Sequence, residues 1–198
     1  MKDKRYNIIL ILLAGVLLNT ACSHKRQYFP RNIEEVETSI VRFDEAIMNV
    51  QRVTEREDIE YLYEQYPEFM HIWVEDILGI PSEDTTYLCQ ALPDFLEDTV
   101  YGFAETNKKV KEVFYQYSDV ENEINKGFSR VKYLWPDAEL PEIYFMISGF
   151  NEGIYFFNLN ENADDNVNVA VGTDMYLGSD WEWYKKCSAN FISVCRTY

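Results

Sequence analysis

The sequence predicts an α+β domain in which helices come first and an antiparallel β unit follows. Three observations carry that expectation. Apolar residues recur at helical spacing between residues 54 and 135, the period changes to β-branched and aromatic runs after Pro136, and neither a Pro/Gly/Ser-rich linker nor an internal repeat divides the chain.

The elements follow in order. In "SIVRFDEAI", Ile40, Val41 and Phe43 suit a short strand, with Asp44 placed to cap the helix after it. Thr54-x-x-Glu57 reads as a capping box opening a helix with Ile59, Leu62, Tyr63 and Tyr66 on one face. Pro67 starts another, striped by Phe69, Ile72, Trp73 and Ile77 and stopped by Gly79-Ile80-Pro81. Leu92, Phe95, Leu96, Val100 and Phe103 form a third stripe, and Val110, Val113, Phe114 and Tyr117 a fourth. A second capping box, Ser118-x-x-Glu121, precedes a helix carrying Val120, Ile124, Phe128, Val131, Leu134 and Trp135, which Pro136 ends. Beyond it, "EIYFMISGF", "GIYFFNL" and "VNVAVG" read as strands, with Gly149 to Gly153 as a hairpin-like loop and "NENADDN" as a longer polar one.

The N-terminus is an address rather than part of this fold. Lys2, Lys4 and Arg5 precede an unbroken apolar run from Ile8 to Leu18, and Thr20-Ala21-Cys22 follows it. As a helix those eleven residues cover roughly 16 Å, half of a ~30 Å hydrocarbon core, so the run is a signal-peptide core and not a span. "LLNTAC" resembles a bacterial lipobox, departing from the strict pattern at Asn19; an ordinary signal peptide with an incidental Cys22 is the alternative. The lipobox implies cleavage before Cys22 and acylation of it, and at ~0.8 kcal/mol per buried methylene two chains already anchor a protein stably. The expected division is a signal peptide over 1–21, a tether over 22–32, a domain over 33–184 and a divergent or truncated tail over 185–198. The tether lacks an acidic run, which suits a periplasm-facing protein on the outer membrane.

The chain carries 18 Lys plus Arg against 34 Asp plus Glu, a net charge of −16, and loss of residues 1–21 leaves −18. That sign excludes nucleic acid as a partner. Aromatic content of 16% and apolar content of 47% argue for a packed core. Besides Cys22 there are Cys89, Cys187 and Cys195; Cys187 and Cys195 could pair, or all three could be free. His24 lies in the tether, and His71, between Met70 and Ile72-Trp73, reads as structural.

Sharper chemistry finds little support. Asp164, Asp165, Asp174, Asp180 and Glu182 sit near loops, but their spacing fits no EF-hand, so a solvated acidic loop is the better reading. Ser148-Gly149 and Ser179 read as turn residues, since no GxSxG is present. Gly172 and Gly178 flank "TDMYL" without a phosphate-cradling pattern, and among 34 acidic residues a glycosidase-like pair carries no information. No catalytic residue, metal ligand, cofactor or small-molecule substrate is expected.

"WPDAELPEIYFMISGFN" followed by "VAVGTDMYLGSDWEWY", with "IVRFD" and "YPEFMHIWVEDILG" upstream, resembles the GldB family of gliding-motility lipoproteins of the Bacteroidota, in order over residues 39 to 184. "DMYLGSD" is the most specific piece, and Thr173 departs from the usual aliphatic residue. The resemblance implies an outer-membrane-anchored periplasmic lipoprotein of the gliding and type IX secretion apparatus, noncatalytic, meeting envelope proteins of a motility or secretion complex and the membrane through acylated Cys22. It implies a zincin-like, metallopeptidase-like fold, yet no HExxH occurs, and after His71 the chain has no histidine. The alternative is a metallopeptidase-like enzyme whose catalytic segment is missing from this chain. Because the likeness dissolves beyond Tyr184, a fold incomplete at the C-terminus is expected, exposing Tyr176, Trp181, Trp183 and Phe191.

Overall fold

The computed structural model describes residues 30, 32–49, 56–81, 85–114, 116–159 and 167–186. Cys22, His24, Thr54, Asp164, Asp165, Cys187, Phe191 and Cys195 therefore lie outside the described residues, as do the signal peptide and most of the tether. The chain divides after Glu34, and the elements below all belong to the larger unit.

The order is β1 (Ile40–Arg42), α1 (Phe43–Asn49), α2 (Arg56–Gln65) and α3 (Pro67–His71), which runs on as a π-helical stretch, Ile72–Ile77. Then come α4 (Thr85–Glu97), α5 (Phe103–Val113), α6 (Ser118–Leu134), β2 (Ile143–Met146), β3 (Ile154–Phe157), β4 (Asn168–Gly172) and a 3-10 turn, Thr173–Met175. A last helical turn covers 182–186. Among the described residues no helix is long and apolar enough to cross a membrane.

The α+β class holds, but the sheet is mixed, which corrects the expected antiparallel unit. Its order is β1-β2-β4-β3, with β1 parallel to β2, β2 parallel to β4, and only β3 antiparallel to β4. The loop from Gly149 to Gly153 is thus no hairpin: β4 inserts between the strands it joins. Burial explains why alternation misled. Ile143 to Met146 are buried on both faces, as strands inside a parallel sheet are, so the run is continuously apolar.

One face, with Val41, Tyr144, Met146, Ala170, Tyr155 and Phe157, meets the helical core. The predicted stripes supply the other side, with Ile59, Leu62, Phe69 and Trp73 at most 1% exposed, and Met70, outside those stripes, is buried with them. Phe43, the first residue of α1, sits edge-on to Tyr66, Phe69 and Trp73 at centroid distances of 5.2, 4.9 and 5.2 Å. Tyr144 is drawn into this core with its hydroxyl 3.3 Å from Glu142 Oε2; burial, and then the Glu142 charge, push the phenol up to about 12, so it remains a donor at neutral pH.

Several local expectations fail for identifiable reasons. Asp44 does not cap α1 from outside; it lies within the helix and binds Arg42. Ser118 is likewise inside α6, whose N-cap is Tyr117 with no side-chain capping bond. The third stripe breaks, since α4 ends at Glu97 and Val100 lies in the turn, 75% exposed. His71, read as structural, lies at the surface 4.0 Å from Glu75, with its ring centroid 4.8 Å from that of Tyr63 and the two rings tilted.

The segment after the 3-10 turn is docked, against the expectation that its aromatics lie bare. Trp181 Nε1 donates to Thr106 Oγ1 at 3.3 Å, and the Trp183 ring lies against Gly102, which has φ of 78° and no room for a Cβ. Both tryptophans are half-buried, whereas Tyr176 is exposed as expected. Gly102→Ala forces a left-handed alanine into that ring, and overpacking of this kind costs about 1–3 kcal/mol. Urea denaturation followed by tryptophan emission is expected to show the lower midpoint together with a changed native spectrum.

Candidate functional site

The carboxyl ends of the parallel strands β2 and β4 are where an open sheet of this kind offers a crevice. Here the chain closes it with its own groups. Met146 ends β2, and the next turn places Gly149 and Phe150 at φ of 68° and 61°, a left-handed pair that turns backbone N–H groups inward. Asp174, two residues beyond β4, fills the resulting nest. Its Oδ1 accepts from Ser148 N at 2.8 Å, and its Oδ2 accepts from Phe150 N at 2.7 Å and Ser148 Oγ at 3.1 Å. Gly172 makes the approach possible, because a Cβ there would collide with the Glu152 carbonyl.

The surrounding shell is equally specific. Trp73 Nε1 donates to the Ile147 carbonyl at 2.7 Å and Asn151 Nδ2 to the Ile77 carbonyl at 3.1 Å, so the π-helical stretch holds the loop from the far side. Tyr184 Oη donates to the Asp174 carbonyl at 2.7 Å and accepts from Leu177 N at 2.9 Å. Asp174 is 1% exposed and Ser148 fully buried. Burial pushes the Asp174 carboxyl above the ordinary range, opposed by the donors from Ser148 and Phe150. The pair is a sealed brace: the serine hydroxyl is spent on Asp174, and neither group reaches solvent.

A second charged centre lies at the carboxyl end of β1, the same end of the sheet. Arg42 donates from Nε to Asp44 Oδ1 at 2.8 Å and from Nη2 to Oδ2 at 3.0 Å, a bidentate fork on a carboxylate with 0% exposure. Burial alone lowers the Arg42 pKa, but the hydrogen bond and charge of Asp44 outweigh it and hold the guanidinium above its ordinary value. The guanidinium also lies over the Tyr117 ring, 4.4 Å from its centroid.

The sheet's other face is different in kind. The rows Phe156-Val169-Ile143 and Ile154-Val171-Phe145 are apolar across β3, β4 and β2, and on β1 the second row ends at Arg42, whose guanidinium lies 5.7 Å from the Phe145 ring centroid. Over β2 this face is buried, but Ile154 and Phe156 on β3 are 51% and 66% exposed. Between this face and α6 lies an apolar trough of about 750 Å³, lined by Ile143, Phe145 and Val171 of β2 and β4 and by Val120, Ile124, Phe128 and Val131 of α6. Phe114 and Tyr176 also line it. The α6 stripe was legible as a helix face, but it borders this space instead of entering the core; only Ser129 of α6 is buried.

Of the residues weighed in the sequence, Asp174 proves to be a buried structural ligand and not part of a solvated loop, while Asp180 and Glu182 are exposed. Ser148-Gly149 is the turn expected, with a role for Ser148 that spacing did not reveal. Among the described residues no group of three or more His, Cys, Asp or Glu side chains is placed to hold a metal ion. Cys89 is a half-buried free thiol.

These features define an α+β domain whose polar centres are structural and whose open surface is apolar. The family profile described as gliding motility protein GldB matches residues 24–194, and the chain belongs to that family. No curated protein and no solved structure gives a significant match. The family is one of lipoproteins, which agrees with a membrane-anchored place in the cell envelope.

Proposed function

We propose that this protein is a noncatalytic accessory lipoprotein of the gliding-motility and type IX secretion type of envelope machinery, held through acylated Cys22 in the outer membrane and facing the periplasm. The observation that carries the reading is the family match over residues 24–194 of a chain that begins with a lipobox-like "LLNTAC". The noncatalytic part is supported by the fate of the polar groups at the strand ends, where Ser148 and Asp174 are sealed against each other. A zincin-like ancestry without HExxH belongs to the same reading, as do contacts with envelope proteins as the mode of action.

Cys22→Ala is the direct test. The variant is expected to leave the membrane fraction, and affinity capture from membranes is expected to lose the partners that the acylated chain retains. An unmodified N-terminus by mass spectrometry, on a product that is soluble without the substitution, would refute the anchor. Stoichiometric zinc in the purified chain would refute the noncatalytic assignment.

A further inference from the structure

The open trough between α6 and the sheet has no task in the reading above, and its chemistry narrows what it can hold. At about 750 Å³ it falls in the ~300–1,000 Å³ range of small-ligand sites. Such sites normally carry a few convergent polar groups that orient the ligand. Only Thr173 and Tyr176 among the lining residues have a polar side-chain atom, and the Thr173 hydroxyl is already donated to the Met146 carbonyl at 3.0 Å. A nucleotide, sugar or extended peptide would bury donors and acceptors there at a loss.

Size weighs against a partner helix. One helical turn with its side chains fills about 500 Å³, so the trough takes less than the two turns that anchor a docked helix. A hydrocarbon chain needs no hydrogen bonds and is much thinner. The source follows from the tether, and here the argument rests on the anchored-lipoprotein reading. Val36 N donates to Ser129 Oγ and Thr38 N to Asn125 Oδ1, both at 2.9 Å, so the N-terminal segment reaches the domain along α6. Val36 is fourteen residues beyond Cys22, which confines the domain within about 50 Å of the bilayer. Acyl chains are then the most concentrated apolar ligand within reach. Neither Ser129 nor Asn125, which receive this segment, is among the residues that line the trough.

We propose that the trough between α6 and strands β2 and β4 is a binding site for one acyl chain of a membrane lipid with an uncharged or zwitterionic headgroup, the strongly acidic domain disfavouring anionic ones.

Gly127 supplies the decisive variant. It lines the trough from α6, and a Cβ there meets nothing within 4 Å. Gly127→Leu therefore starts from a Cβ in open space, carries its side chain from the trough-lining position, and replaces a poor helix former by a good one, with the melting temperature separating lost binding from lost folding. The acylated chain, with its Cys22 modification verified by mass spectrometry, is reconstituted in phosphatidylcholine vesicles bearing a photoreactive acyl chain. Expected is labelling of α6, β2 and β4 peptides, reduced at least tenfold in Gly127→Leu at an unchanged or higher melting temperature. In parallel, the Cys22→Ala chain should take up cis-parinaric acid saturably and Gly127→Leu in that background should not. Labelling confined to residues 22–32, or equal labelling of both chains, overturns the proposal. Parinaric acid uptake by Cys22→Ala without photolabelling of the acylated chain would mean that the protein's own anchor occupies the trough, and also overturns it. Failure of both arms would assign the surface to a protein, while an unacylated Cys22 would refute the anchor and leave the parinaric acid result to decide the site.

Discussion

Asp174→Ala will lower the stability of the domain by on the order of 3–5 kcal/mol, since each buried donor left unpaired costs about 1–3 kcal/mol and this carboxylate receives Ser148 N, Ser148 Oγ and Phe150 N. The damage will not stay local. With the nest empty, Phe150 has no compensation for its left-handed backbone, and the stack of Phe150 on Phe103 at 5.7 Å and its edge contact with Tyr184 at 5.9 Å loosen together. Asp174→Asn is expected to cost less, because the amide oxygen still accepts from Ser148 N and the Ser148 hydroxyl can turn to accept from the amide nitrogen, leaving only Phe150 N without its acceptor. Chemical denaturation measures both; a loss under about 1 kcal/mol for the alanine variant would mean that water replaces the carboxylate.

The same carboxyl gives a pH signature. Burial raises its folded pKa above the ordinary value of 3.8, so the folded state binds the proton more tightly than the unfolded chain. Stability from this group is therefore fully present below that ordinary value and is lost as pH rises through the folded pKa. Asp174→Asn has no such proton, so the melting-temperature difference between it and the unaltered chain should narrow as pH rises across that window. A pH-independent difference would show that the donors from Ser148 and Phe150 cancel the effect of burial.

Arg42→Ala is the second large effect, expected at about 3–5 kcal/mol, because it strands the fully buried Asp44 without its counter-charge. Arg42→Lys should recover only part, keeping charge but losing the fork and the flat contact with Tyr117. Arg42→Ala combined with Asp44→Ala should cost less than the sum of the single changes. Additivity would indicate that the two groups do not act as a pair.

What the sequence made legible was local. The stripes of α2 and α3 found Ile59, Leu62, Phe69 and Trp73 correctly, because a period of 3.6 read over ten residues needs no knowledge of the partner face. Sheet order was not legible: Ile40 pairs with Ile143 in a parallel register set by everything folded between them. "IYFM" did carry a hint, since a strand without alternation is buried on both faces. The two polar centres were half-visible. Arg42 and Asp44 stand two apart in an apolar motif, and Asp174 follows an alternating strand almost at once, each an ionisable group where solvent is scarce. The trough was invisible for a plain reason: periodicity shows that a helix has an apolar face, not that the face is covered.

The way the chain enters the domain also has a mechanical side. Val36 and Thr38 are gripped by α6, Ser39 accepts from Ile143 N at 3.0 Å, and β1 then lies parallel against β2 with Arg42 clamped at its end. Any tension arriving through the N-terminal segment runs along β1 and loads these bonds in shear, several at once, instead of peeling them one by one. An anchored domain so attached resists being dragged by its leash, and the first part to yield under load would be the edge strand, with the aromatic core still intact behind it.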